Sequence, residues 1–108
     1  MLYSLNYTLK KMSVKRISPL LAKKILKNNP GLLLDIRDTE SFNADHDSKA
    51  IHINQDSLPA FLANTDKNIT ILVMCYHGNS SQIVAQFLSE EGFTDVYSID
   101  GGYEMWNS

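Results

Sequence analysis

Apolar positions along this chain follow two alternating rhythms. Short runs at Val14–Ile17, Leu32–Arg37, Ala50–Ile53, Ile69–Met74 and Val96–Ile99 read as strands. Leu32-Leu33-Leu34 is continuously apolar, which suits a parallel strand buried on both faces. Between these runs the spacing turns helical. Ser18-Pro19 starts a helix, serine as N-cap and proline at the first helical position, with Leu20, Leu21, Ala22 and Ile25 as its apolar stripe. Asn29-Pro30-Gly31 stops it.

Asp38-Thr39-Glu40-Ser41-Phe42 predicts a short helix, and Asp56-Ser57 caps another in which Leu58, Phe61 and Leu62 share a face. Ile83, Val84, Phe87 and Leu88 form the buried stripe of a further helix ended by Gly92. The turn Asp100-Gly101-Gly102 leads into a last helical turn at Tyr103–Trp106. Strands alternating with helices predict an α/β fold, a mainly parallel sheet with helices on both faces. Residues 1–13 show no clear periodicity and are set apart as an N-terminal extension of unassigned role; one domain is expected over 14–108.

Composition agrees with one soluble domain: 108 residues, 44% hydrophobic and 20% charged. No apolar stretch approaches the roughly 20 residues that span a bilayer. The opening Met1–Tyr7 has no basic segment before it and is too polar for a signal-peptide core, so a cytoplasmic protein is expected. Charge changes the picture more. The first 34 residues carry seven basic residues and no acid, whereas the remainder carries three basic residues and all 12 acids. Lys23, Lys24 and Lys27 fit the solvent face of a helix without an aromatic platform, so neither a nucleic-acid nor a membrane partner is expected.

The candidate chemistry lies in Ile69–Ser81. An apolar strand ends on the chain's only cysteine, Cys75, and passes through Tyr76-His77-Gly78-Asn79 into a helical pattern beginning near Ser80 or Ser81. A lone cysteine forms no internal disulfide and is by default a small buried hydrophobe. Its place here argues for more, because ligands of open α/β sheets bind outside the carboxyl ends of the strands. A thiol attacks as its thiolate. Backbone N–H groups from Tyr76 to Ser81 are placed to curl around an anionic sulfur, with the following helix directing its positive end at the same point. Gly78 permits that curl; Asn79 and Ser80 are N-cap residues, with Gln82 completing a capping box after Asn79. His77 is a candidate partner cation or proton donor, set against an ordinary exposed loop histidine. His46 and His52 have no metal-ligand spacing with the single cysteine.

Cys75-Tyr76-His77-Gly78-Asn79-Ser80-Ser81, taken with Tyr97-Ser98-Ile99-Asp100-Gly101-Gly102-Tyr103-Glu104-Met105-Trp106, resembles the rhodanese family. Leu34-Asp35-Ile36-Arg37-Asp38, with Ser41-Phe42 and His46, looks like that family's upstream signature. The resemblance implies a rhodanese-like α/β domain and a double-displacement sulfur transfer. Cys75 would be the catalytic nucleophile, taking sulfane sulfur from thiosulfate or another persulfide donor. Tyr76, His77, Gly78, Asn79, Ser80 and Ser81 would bind substrate; Asp35 and Arg37 would support the loop, an ion pair bracing the scaffold being the simpler account of both. The implied acceptors are cyanide or a thioredoxin-like dithiol protein. No metal or organic cofactor is implied, and a monomer or homodimer is expected.

Dual-specificity phosphatases that share the fold need an arginine six residues after the cysteine. That position here is Ser81, and the loop holds no arginine or lysine, which disfavours phosphate chemistry. Without cationic side chains, thiosulfate is expected to bind weakly. The competing class is a non-enzymatic module that docks a partner or senses redox state through Cys75. Two departures, Asp45 and Lys49, stand where family members often carry glycine, so local turn geometry there is expected to differ.

Overall fold

The computed structural model describes residues 14–28 and 30–107; the extension read at 1–13 lies outside them. Five strands form one sheet: β1 Lys15–Ile17, β2 Gly31–Asp35, β3 Ala50–His52, β4 Thr70–Met74 and β5 Val96–Ile99. Five helices intervene: α1 Pro19–Asn28, α2 Thr39–Ala44, α3 Leu58–Asn64, α4 Ser80–Glu90 and α5 Gly102–Trp106. The strand order is β1-β5-β4-β2-β3, and every pairing is parallel.

Alternate residues of the central strands feed two separate cores, as period-2 side chains must. Ile71 and Val73 of β4, with Leu34 of β2, pack among Ala85, Leu88, Phe93 and Val96, joined by Leu58, Phe61 and Leu62 of α3. Leu72 and Met74, with Leu33, point to the other side and pack with Ile17, Ala22, Ile99 and Trp106. Helices thus cover both faces, as the apolar runs predicted.

Two stripes differ from expectation. Leu20 and Leu21 are 68% and 51% exposed; α1 instead buries Ala22 and leans on Ile25 and Leu26. In α4, Ile83 alone of the expected stripe is exposed; Leu88 is buried with Ser81, Ala85 and Gln86, and Val84 and Phe87 pack half-buried against the same core. The cause is one residue of helical phase: with several apolar residues in succession, the sequence does not say which one faces the sheet.

Caps account for the starts of α1 and α2 and for the end of α4. Ser18 Oγ accepts from Leu21 N–H at 3.2 Å, and Asp38 caps α2 by accepting from Ser41 N–H at 3.1 Å. The α4 C-terminus closes as a Schellman turn, Phe93 N–H to Leu88 O and Gly92 N–H to Ser89 O, with Gly92 at φ 104°. The entry to α3 departs from prediction. Ser57 makes no side-chain cap; Asn54 organises the turn by accepting from the N–H groups of Asp56 and Ser57. Asp45 sits in extended backbone, φ −168°, and no non-glycine residue among those described has positive φ. Its turn therefore accommodates a side chain without strain.

Candidate active site

β4 is flanked by β2 and β5 and ends one residue before Cys75. Chain connections leave this central region in opposite directions, from β2 toward β3 and from β4 toward β5, so the carboxyl edge between β2 and β4 is a switch point of the sheet. Cys75 is free and buried, 6% exposed. Its Sγ accepts the N–H of Gly78 at 3.0 Å and that of Ser81 at 3.3 Å, and lies 3.3 Å from Ser81 Oγ.

The sulfur therefore occupies the place of a helix cap. Ser81 is the second residue of α4, one of the first-turn N–H groups that have no partner within the helix. Asn79 stands at the N-cap position, but its side chain makes no capping bond. The capping box read from Gln82 does not form: the Gln82 amide donates to Gly78 O at 2.9 Å, closing the loop on itself. Of the N–H groups from Tyr76 to Ser81 that the sequence directed at the sulfur, those of Gly78 and Ser81 bond to it; the side-chain cap expected from Asn79 does not form.

Two opposed effects act on the thiol. Burial raises its pKa, but hydrogen bonds from the Ser81 hydroxyl and from the N–H groups of Ser81, Gly78 and His77 outweigh it, so Cys75 sits below the ordinary thiol value. No side-chain cation takes part among these causes. His77 turns outward, its ring 3.1 Å from Glu104 and both side chains mostly exposed. Tyr76 is 49% exposed and tilts against the His77 ring. Asn79 and Ser80 are exposed at the loop's rim.

The carbonyl side of the loop is held by α5. Tyr103 N–H donates to Cys75 O at 2.7 Å and Glu104 N–H to Tyr76 O at 3.2 Å. The first turn of one helix thus addresses the sulfur, and the first turn of another addresses the same residue's carbonyl. This closeness requires glycine. Gly102 has φ 59°, and a Cβ there would run into Cys75 O and the Tyr76 carbonyl. Gly78, at φ 95°, would place a Cβ 2.8 Å from Gly101 N.

Asp35 and Arg37 form a buried forked pair, Arg37 Nη2 to Asp35 Oδ2 at 2.8 Å and Nε to Oδ1 at 3.0 Å. Arg37 also donates to Asp45 O at 2.7 Å and stacks 3.8 Å from the Tyr103 ring centroid. Tyr103 in turn donates its hydroxyl to Asp45 Oδ2 at 2.6 Å. The Asp45 carboxylate pushes the Tyr103 phenol up to about 12. The pair reaches Cys75 through Tyr103, not by touching it. His46 and His52 stack on either side of Phe42 and donate to the carbonyls of Phe42 and Arg37.

Sequence reasoning missed three participants. Ser98, in β5, is 1% exposed and its Oγ lies 2.7 Å from Ser81 Oγ. Gly102 was read only as a turn residue, and Asp45 only as a departure. The motif carrying Ser98 and Gly102 was visible, but nothing local to it shows that it folds against the cysteine loop.

A strand-end thiol cradled by backbone donors in a parallel α/β sheet defines a class, and comparison with known proteins agrees. The chain belongs to the rhodanese-like domain family, whose profile matches residues 18–108. Among its relatives is the thiosulfate sulfurtransferase GlpE of Pseudomonas putida, 45% identical over 87% of this chain and 86% of that protein. The GlpE of Tolumonas auensis is 50% identical over 84% of this chain and 86% of its own. The crystal structure of a rhodanese-like domain protein from Staphylococcus aureus superposes with a TM-score of 0.75 at 28% identity, covering 86% of this chain and 91% of that one.

Proposed function

We propose that the protein is a thiosulfate sulfurtransferase working by double displacement through a persulfide on Cys75. The observation that carries this reading is the Cys75 sulfur itself, which accepts two backbone N–H groups and faces the Ser81 hydroxyl. Relatives sharing nearly half its residues bear that activity in their names. In the first step the thiolate attacks the outer sulfur of thiosulfate. A new S–S bond forms to Cys75, the thiosulfate S–S bond breaks, and its electron pair leaves with sulfite. In the second step a thiophilic acceptor attacks the outer persulfide sulfur and Cys75 departs as thiolate; with cyanide the product is thiocyanate.

The chain's own groups supply what both steps need, which is stabilisation of negative charge on sulfur at each end of the cycle. Gly78 and Ser81 hold Cys75 as leaving group and nucleophile. The exposed rim of the loop, Tyr76, His77, Asn79 and Ser80, receives the donor. Asp35 and Arg37 act at a distance, fixing Tyr103 and with it the Cys75 carbonyl. In the cell the acceptor is a thiol-bearing protein of the thioredoxin type, in a reducing cytoplasm where Cys75 stays free. No helix among the described residues is long and apolar enough to cross a membrane. The catalytic unit is a monomer or a homodimer.

Steady-state formation of thiocyanate from thiosulfate and cyanide tests the reading. Wild type turns over, and Cys75→Ser falls to the uncatalysed background. Turnover surviving in Cys75→Ser would remove Cys75 as the nucleophile. Because no lysine or arginine lies in the loop, the Michaelis constant for thiosulfate is expected near the millimolar end of the usual range. A low-micromolar constant would contradict binding by backbone amides alone.

A further inference from the structure

Behind the Cys75 sulfur, on the side away from solvent, two buried hydroxyls stand in line. Cys75 Sγ lies 3.3 Å from Ser81 Oγ, and Ser81 Oγ lies 2.7 Å from Ser98 Oγ. Ser81 is fully buried and Ser98 is 1% exposed. Among the described residues, the one hydrogen-bond partner of the Ser98 hydroxyl is Ser81 Oγ. A serine facing inward from a central strand, with one neighbour to bond, needs a reason to be polar.

Counting protons along this line gives one. Three heavy atoms in a row make two hydrogen bonds, and two bonds use two protons. With sulfur as thiolate, Ser98 donates to Ser81 and Ser81 donates to sulfur, and every proton is used. With sulfur as thiol, a third proton is present and no acceptor on the line remains for it. A buried donor without an acceptor is costly. A hydroxyl that accepts a hydrogen bond is also a stronger donor, so Ser98 strengthens the bond that Ser81 gives to the anion.

We propose that Ser98 is a positioning residue for the nucleophile: it orients the Ser81 hydroxyl so that it donates to the Cys75 sulfur. The proposal rests on Cys75 being the nucleophile, and acts entirely through Ser81. Charged groups on the surrounding elements are engaged elsewhere. Asp35 pairs with Arg37, Asp100 beyond β5 with Arg16, and Glu104 of α5 with His77. Hydroxyl orientation is therefore the local means by which β5 influences the thiol.

The test is the pH dependence of Cys75 alkylation by iodoacetamide, in wild type, Ser81→Ala, Ser98→Ala and the double variant. Ser81→Ala raises the titration midpoint by about 1 pH unit, the loss of one hydrogen bond to the anion. Ser98→Ala raises it by roughly half as much in the wild-type background, and by nothing when Ser81 is already alanine. An unchanged midpoint in Ser98→Ala, or the same shift in both backgrounds, overturns the proposal.

A second readout needs no variant. In wild type the Ser98 Cβ chemical shift follows the titration of Cys75; a shift flat across that transition overturns the proposal equally. Neither measurement requires sulfur transfer. Loss of thiosulfate turnover with the alkylation pattern intact would count against the proposed function while supporting the role of Ser98.

Discussion

At Cys75 the balance between burial and hydrogen bonding decides the chemistry. Burial favours the neutral thiol, and the donors of Ser81, Gly78 and His77 favour the thiolate more strongly. An ordinary thiol titrates near 8.5. With the folded value depressed, the thiolate stabilises the native state above the unfolded-chain value, and that contribution is lost as pH falls through the folded value. Activity follows the same sign. The profile of kcat/KM for thiosulfate is expected to rise with pH and level off, with its inflection below about 8.5. An inflection at or above that value would mean that the cradle does not act on the anion. Cys75 and the loop from Tyr76 to Ser81 were legible in the sequence because strand, turn and helix start follow one another there. Ser98 was not, because its partner lies 17 residues away and the two meet only when α4 packs back against β5.

At the scale of elements, two helix N-termini grip one residue from opposite sides. α4 presents Ser81 N–H to the sulfur, and α5 presents Tyr103 N–H to the carbonyl. Both approaches depend on glycine at positive φ, Gly78 in one case and Gly102 in the other. Gly102→Ala combines the left-handed penalty of about 1–2 kcal/mol with overpacking of about 1–3 kcal/mol. A loss of roughly 3 kcal/mol in urea unfolding is expected, with turnover falling more steeply than the folded fraction because the Cys75 carbonyl is displaced. Full activity in a stable Gly102→Ala protein would show that the α5 contact does not position the loop. The order of strands and helices was legible from hydrophobic rhythm. Helix phase was not, as Leu20, Leu21 and Ile83 show: they are apolar, within two residues of buried positions, and exposed.

Across the whole molecule, the upstream signature and the glycine-containing motif near the C-terminus meet through Arg37, Asp45 and Tyr103. The Arg37–Asp35 pair is almost wholly buried, whereas Lys15–Asp95 and Arg16–Asp100 lie at the surface. Asp35→Ala leaves a guanidinium buried without its carboxylate, a change that costs about 3–5 kcal/mol. Arg16→Ala, which removes an exposed pair, should cost about 1 kcal/mol or less. Chemical denaturation of the two variants checks the contrast, and equal losses would show that the buried pair is not the stronger brace. The sequence reading named Asp35 and Arg37 as supports of the loop, with a scaffold ion pair as the simpler account; the structure contains that pair, and the sequence had no means of showing that Arg37 also carries the Tyr103 ring.

The central claim is that Cys75 carries sulfur between a donor and an acceptor, and intact-protein mass after incubation with thiosulfate tests it most directly. A gain of one sulfur atom, mapped to Cys75, absent in Cys75→Ser and discharged by cyanide, is the predicted result. An unchanged mass in wild-type protein whose Cys75 still alkylates readily would contradict it.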